Sequence, residues 1–265
     1  MTRYFKIYIL FLFFSTAGFS QISKVHYIPP LTNNKALSGG SSIPLDQYMY
    51  LSTPSENNVT VTVTPLNGDS STTYNNLSNE SPIRYDIGTS WNGSFTPSQL
   101  FVDHESTGGD TALNAGFVVE ADCPIYVSIR YNAGAQAGAL VSKGDASLGT
   151  NFRAGMMTSG TIQIANPHPT SNNFFSVMAT QDNTIVAVDL PNAIIGETTL
   201  SNYNYQGPFT KVLQKHESMI LSMDFENTNA NNGGARHSLN GALIRSVDDN
   251  GTEDGTKPLV VNVGS

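Results

Sequence analysis

The sequence predicts an all-β fold made of two tandem, sandwich-like units. Three observations support this prediction. Short apolar segments alternate with polar residues at a period of two, turn-forming Asn-Gly and Gly-Gly pairs separate these segments, and matched segments recur about 126 residues apart. A four-stranded propeller blade would give a similar pattern of short repeated strands, so part of a β-propeller is the alternative.

Individual strands follow from the alternation. Val59 to Val63 alternates valine with threonine, and Ile125 to Arg130 alternates aliphatic with polar residues. Comparable segments lie at 48–51, 115–120, 174–178, 184–188, 218–223, 241–245 and 258–263. Because no helical pattern of about 12 residues follows the N-terminal segment, we expect strands and turns throughout.

The tandem repeat is predicted from matched positions with one constant spacing. The pairs are Tyr48 and Phe174, Val59 and Ile185, Leu113 and Leu239, and Val118 and Ile244, each 126 residues apart. We therefore expect a first β-unit over 21–160 and a second over 161–265. The second copy stops where the first continues, which predicts that it is truncated at its C-terminal end.

Residues 1–20 have the layout of a secretory signal peptide. Arg3 and Lys6 precede an apolar run from Ile7 to Phe14, and small residues follow it. Removing this segment would leave 11 basic against 21 acidic residues, a net charge of -10, compared with -8 for the whole chain. We expect a chain that is exported across the inner membrane and is displayed on the cell surface or secreted.

Composition restricts the partners and the sources of stability. Charged residues make up only 13% of the chain and its pI is about 4.9, so nucleic acid and anionic membrane surfaces are not expected partners. The single cysteine, Cys123, cannot form an internal disulfide. Its position at the start of an apolar strand predicts a buried structural thiol.

Four segments resemble a known family of cell-surface proteins. They are SKVHYIPPL at 23–31, YLSTP at 50–54, QAGALVSKGDASLGTNFRAGMM at 136–157 and KPLVVNVGS at 257–265. Together they resemble the N-terminal region of Bacteroidota surface proteins with an IgGFc-binding-protein-like domain. Such proteins commonly carry a gliding-motility-associated C-terminal domain for type IX secretion. The resemblance implies an exported, repeat-built β protein linked to adhesion or gliding, with the type IX export machinery as a partner.

No catalytic residues are predicted, and the chain is not expected to be an enzyme. Asp103, His104 and Glu105 form the densest titratable cluster, but no second histidine stands at metal-ligand spacing. A secreted hydrolase that uses this cluster is one alternative function.

Weak binding candidates lie in polar turns. Tyr131, Asn132 and Gln136 surround small residues that either line a shallow ligand surface or form a tight crossing of strands. A carbohydrate-binding sandwich, the second alternative function, would need an aromatic platform. The candidates for that platform are Trp91, Tyr85 and Tyr203.

Calcium is the one cofactor considered, and glycosylation the one modification. Asp248, Asp249, Asn250 and Asp254 place oxygen ligands around a glycine turn, a composition that suits calcium or simply solvates a hairpin. Thr111 lies in a short Asp-Thr-Ala motif that resembles a Bacteroidota O-glycosylation site.

The leading hypothesis is a non-enzymatic adhesion or interaction module that binds an extracellular glycan or protein.

Overall fold

The computed structural model describes residues 22–32, 45–90, 97–103, 111–133, 136–155, 172–193, 195–196, 199–200, 203–224 and 239–264. These residues form antiparallel sheets and short connections, which confirms the all-β prediction. The one helical element among them is a single 3-10 turn. Within the same ranges, no helix has the length and apolar character needed to cross a membrane.

The first unit contains a long central strand and shorter strands on both sides of it. Its elements are β1 (Ser23–Ile28), β2 (Leu31–Thr32), β3 (Gln47–Ser52), β4 (Val59–Pro65), β5 (Thr72–Leu77), β6 (Ile83–Gly88), β7 (Phe101–Val102), β8 (Phe117–Ala133), β9 (Gln136–Ser142) and the 3-10 turn Gly144–Ser147.

The second unit is built from shorter strands. They are β10 (Asn151–Arg153), β11 (Asn172–Ala179), β12 (Thr184–Asp189), β13 (Thr199–Leu200), β14 (Tyr203–Asn204), β15 (Phe209–Leu213), β16 (Ser218–Asp224), β17 (Leu243–Val247) and β18 (Leu259–Gly264). The predicted boundary at residue 160 lies outside the described residues. β10 precedes that boundary in the chain and pairs with β17.

Strand β8 joins the two halves of the first sheet. Its first part pairs with β1 and β4, and its second part pairs with β3 and β9. The alternating residues Val59, Val61 and Val63 of β4 therefore face Met49 and Leu51 of β3, and all five are fully buried. The sheet folds over on itself around one core, as expected for a sandwich.

The second unit has the same layout in two separate sheets. One has the order β10-β17-β12-β15 and the other has the order β16-β11-β18. Val186 and Val188 from the first sheet share a core with Phe175, Val177 and other residues of the second sheet. Strands β17 and β18 take the positions of the two parts of β8, with the acidic loop 248–258 between them.

The pairing pattern repeats from one unit to the next. In the first unit β3 pairs with β6 and β8, and β4 pairs with β5 and β8. In the second, β11 pairs with β16 and β18, and β12 pairs with β15 and β17. The recurring sequence segments thus correspond to strands with recurring neighbours.

The two units are packed against each other through the outer face of the β16-β11-β18 sheet. Phe174 and Ile220 on this face belong to the core of the first unit, and Met178 is fully buried. Asn262 donates a hydrogen bond to the carbonyl of Pro29 over 3.3 Å. Both faces of β11 are therefore buried, whereas the outer face of the four-stranded sheet carries exposed side chains.

The prediction of a buried thiol at Cys123 is wrong, because its side chain is exposed. The reason is local. Ser23 of β1 pairs with Ile125 while Val25 pairs with Glu120, so residues 121–124 of β8 bulge out between these two pairs. The alternation that predicts burial is interrupted at this bulge.

Candidate binding surface

A groove of about 480 Å³ lies on the outer face of the four-stranded sheet in the second unit. Its central row runs across the sheet through Arg245, Ala187 and Thr210, which are register partners on β17, β12 and β15. Their neighbours Val186, Val188 and Ile244 point into the core. The period of two along each strand therefore turns this row outward.

The small side chain of Ala187 forms the floor of the groove. It is flanked by Arg245 on one side and Thr210 on the other, both of which are larger. Along β17, Leu243 and Val247 also line the groove on either side of Arg245. The surface thus combines an apolar floor with a central cation.

Arg245 provides the main polar group. Its guanidinium Nε atom is buried and has no hydrogen-bond partner in the structure. At one end of the groove, Asp189 accepts a long hydrogen bond of 3.5 Å from the Tyr205 hydroxyl. A buried donor without an acceptor is unfavourable, so the Arg245 side chain would gain by turning its guanidinium toward an acceptor on a ligand.

A second arginine stands on the neighbouring row. Arg153 of β10 pairs with Leu243, diagonal to Arg245, and is exposed. Its guanidinium donates a 3.2 Å hydrogen bond to the carbonyl of Gly241. Arg153 and Arg245 thus place two cations on this face, in a chain with a net charge of -8.

Apolar surface continues beside the groove. Val212 of β15 is 48% exposed and pairs with Ile185 of β12, in the row next to Ala187 and Thr210. On the other side of Ile185, Val247 of β17 is only 2% exposed, because Glu253 of the acidic loop pairs with it. An exposed aliphatic side chain, Val212, close to a cation is a combination found on protein-binding surfaces.

The acidic loop forms one end of the groove through Gly251. Asp248 Oδ1 accepts hydrogen bonds from the backbone nitrogens of Asn250 and Thr252, at 2.9 and 2.8 Å. The hydroxyl and backbone nitrogen of Thr256 donate to Asp254, and these bonds hold the pKa of its carboxyl below the usual range.

Across the described parts of the chain, no three Asp, Glu, His or Cys side chains are placed to hold a metal ion together. Two of the carboxylates predicted for calcium, those of Asp248 and Asp254, instead accept hydrogen bonds from the turn's own backbone. Calcium binding by Asp248, Asp249, Asn250 and Asp254 stays a prediction.

The other predicted binding residues lie elsewhere, in the first unit. The ring of Tyr131 packs edge-on against Phe101 with centroids 5.0 Å apart, and burial raises the pKa of its hydroxyl. Gly138 faces this ring so closely that an added Cβ would lie 2.0 Å from Cζ of Tyr131. Asn132 is exposed beside it, and Gln136 begins β9. The structure does not bring these residues near Arg245, and their binding role stays a prediction.

The aromatic platform that the carbohydrate-binding alternative would need is not assembled among the described residues. Tyr85 is 8% exposed, packs edge-on against Phe117, and donates its hydroxyl to Gln99 over 3.1 Å. Tyr203 lies in the second unit against Phe209, with ring centroids 5.0 Å apart. Trp91 lies outside the described residues. Thr111 is described and exposed, as a glycosylation site would require, but that role stays a prediction.

The predicted titratable cluster is only partly visible, and a different histidine is buried. Asp103 is buried, whereas His104 and Glu105 lie outside the described residues.

His26 is fully buried and accepts a 2.9 Å hydrogen bond at Nδ1 from the Ser142 hydroxyl. Its Nε2 faces the carbonyls of Ile125 and Ser23, which can only accept, so Nε2 carries the proton. This arrangement links β1, β8 and β9.

Sequence reasoning missed the groove because no local motif marks it. The segments VAVD and LIRSV show alternation, which places Ala187 and Arg245 outward on their own strands. Only the register between β12 and β17 shows that these two residues are neighbours.

The corresponding face of the first unit has different chemistry. There the Thr62 and Thr73 hydroxyls hydrogen-bond to each other at 3.0 Å, and Thr64 and Ser71 do so at 3.1 Å. The outward residue of β8 beside Thr62 is Glu120, an anion where β17 presents Arg245. The two units thus share strand pairing but not surface chemistry.

Residues 137–265 match the family described as IgGFc binding protein. The matched segment begins within β9 and includes every strand of the second unit, and with it the groove. No curated protein and no solved structure matches the chain. The family match supports the IgGFc-binding-like part of the predicted resemblance, and it favours an extracellular binding module.

Proposed function

We propose that this protein is a non-catalytic interaction module that is exported to the cell surface and binds an extracellular protein through the groove of its second unit. The observation that carries the proposal is the position of the groove. The cation and the apolar floor lie within the segment that matches a family described as a binding protein.

The physical character of the groove supports binding to a protein. Most of its lining residues stand on the paired strands β12, β15 and β17, so their positions are fixed before a ligand arrives. Such preorganisation lowers the entropic cost of association. Arginine with aliphatic neighbours is also a common composition for the centre of protein interfaces.

The finer parts of the proposal rest on the sequence. The signal-peptide layout supports export, and the resemblance to gliding-associated surface proteins supports adhesion and the type IX route. The acidic, weakly charged surface and the repeated units suit a protein that makes several weak contacts in a longer assembly.

The test is binding of the mature chain, residues 21–265, to an array of purified extracellular proteins that includes immunoglobulin Fc, printed beside a glycan array. Ala187→Tyr fills the floor of the groove and should abolish the protein signal. Thr62→Tyr places the same side chain outward on the matching sheet of the first unit and should leave the signal unchanged.

Circular dichroism of both variants would establish that the sheets remain folded. A signal confined to glycans would support the carbohydrate-binding alternative. A protein signal that survives Ala187→Tyr would show that the groove is not the binding surface.

A further inference from the structure

We infer that the groove binds one carboxylate side chain on an extended segment of the partner protein, with an apolar side chain two positions from it that packs on Leu243. This inference rests on the proposed function, since it names the ligand chemistry of the same groove. It begins from Arg245, whose buried Nε has no acceptor in the structure.

A carboxylate is the group that best satisfies this arginine. Guanidinium presents its donors in a planar fork that matches the two oxygens of a carboxylate, and such charge-assisted pairs are stronger than neutral hydrogen bonds. In the central row Arg245 stands between Asn151 of β10 and Ala187 of β12, and Ala187 is the smaller of the two, so the inferred approach of a carboxylate is over Ala187. The small Ala187 side chain leaves the space for this approach.

The neighbours of Arg245 on β17 define one flanking position. Leu243 lies two residues before it on the same face and is partly exposed in the groove, whereas Val247, two residues after it, is only 2% exposed beneath the acidic loop. Alternate residues of an extended chain are about 6.6–6.8 Å apart, the same spacing as on the strand below. A segment with an apolar residue two positions from a Glu therefore places that apolar side chain over Leu243.

The surrounding charges limit the ligand to a single carboxylate. Asp189 lines one end of the groove, and the acidic loop with Asp248 and Asp254 borders the other. A run of acidic residues or a sulfated polysaccharide would bring further negative charges next to these carboxylates. One carboxylate beside an apolar group avoids this repulsion.

A protein segment fits better than an acidic sugar. The one aromatic residue that lines the groove is Phe209, and its ring packs against Tyr203 in the core-facing direction. Sugar rings in protein sites commonly stack on an exposed aromatic face, which the described lining does not offer. Exposed Val212 beside the groove extends the apolar surface instead.

The test uses the mature chain and the acetylated, amidated peptide Val-Ser-Glu-Ser-Val, with Val-Ser-Gln-Ser-Val as the matched peptide. Binding is followed by NMR, through the arginine Nε–H resonances. We expect the Glu peptide to shift the Arg245 resonance and to bind about tenfold more tightly than the Gln peptide, since a hydrogen bond to a charged group is lost. Arg245→Gln should remove this difference between the two peptides.

Arg130→Gln serves as the matched control, because Arg130 is an exposed strand arginine of the first unit. It should leave both affinities unchanged. Equal binding of the two peptides, no shift at Arg245, or a stronger shift with glucuronic acid than with the Glu peptide would overturn the inference. The array test of the proposed function gives a result that is independent of the peptide test. If the partner binds and is lost in Ala187→Tyr but is retained in Arg245→Gln, the proposed function stands and the carboxylate assignment fails.

Discussion

Burial of His26 predicts that the stability of this protein falls in mildly acidic solution. The side chain is fully buried between β1, β8 and β9. Burial lowers its pKa below the ordinary value of 6.5, and this effect outweighs the hydrogen bonds to the carbonyls of Ile125 and Ser23 and the charge of Asp145, which raise it. The folded protein therefore holds His26 neutral under conditions in which the unfolded chain is protonated.

The sign of the effect follows from proton binding. Between the lowered pKa of the folded state and about 6.5, the unfolded chain binds more protons than the folded protein, so stability decreases as the pH falls through this range. Each pKa unit of depression costs about 1.4 kcal/mol once the folded histidine is also protonated. Above 6.5 this contribution to stability is fully present.

His26→Leu separates this titration from the packing of the ring. The variant loses the 2.9 Å bond from Ser142 and the Nε2–H bond that is shared between the carbonyls of Ile125 and Ser23 at 3.0 and 3.2 Å. Two bonds at about 0.5–1.5 kcal/mol each predict a loss of about 1–3 kcal/mol at pH 8. Its stability should then change less than that of the wild type between pH 8 and pH 5. Urea unfolding at several pH values measures both quantities.

A second histidine supplies the control. Burial and the charge of Lys215 lower the pKa of His216, so this residue also contributes to the pH dependence. His216→Gln should remove only its own contribution and leave the His26 contribution in place. The reasoning fails if wild type and His26→Leu lose stability in parallel as the pH falls.

The sequence predicts the strands well because alternation is a local property. Val59, Val61 and Val63 are buried as the period of two requires, and β4 begins at Val59. The spacing of 126 residues likewise brings together segments that form strands with equivalent partners, such as β3 with β11 and β4 with β12. Both signals are readable without knowledge of the register.

The rest depends on contacts that are distant in sequence. Arg245 and Ala187 become neighbours only through the pairing of β12 with β17, which a single sequence does not specify. Cys123 is exposed because β1 skips residues 121–124 of β8, and a bulge of this kind has no distinct local pattern. Likewise, the alternation of β11 predicts one buried face, whereas packing between the units buries both.

Three further predictions test other parts of the structure. Cys123 should react with a maleimide in the native protein as fast as in denaturant, and a requirement for denaturant would contradict its exposure. The melting temperature tests the predicted calcium site: because Asp248 and Asp254 already accept hydrogen bonds from turn backbone, EDTA and added calcium should leave it unchanged, and a rise with calcium would confirm the site. The last prediction compares Gly116→Ala with Gly68→Ala, since both glycines have φ of +96°. An added Cβ at Gly116 would lie 2.2 Å from the carbonyl oxygen of Ile28, whereas nothing lies within 4 Å at Gly68. Gly68→Ala should therefore cost only the left-handed backbone strain of about 1–2 kcal/mol. Gly116→Ala should cost at least about 2 kcal/mol more in urea unfolding, because backbone must move to relieve the contact. Equal costs would mean that β1 does not approach Gly116 this closely.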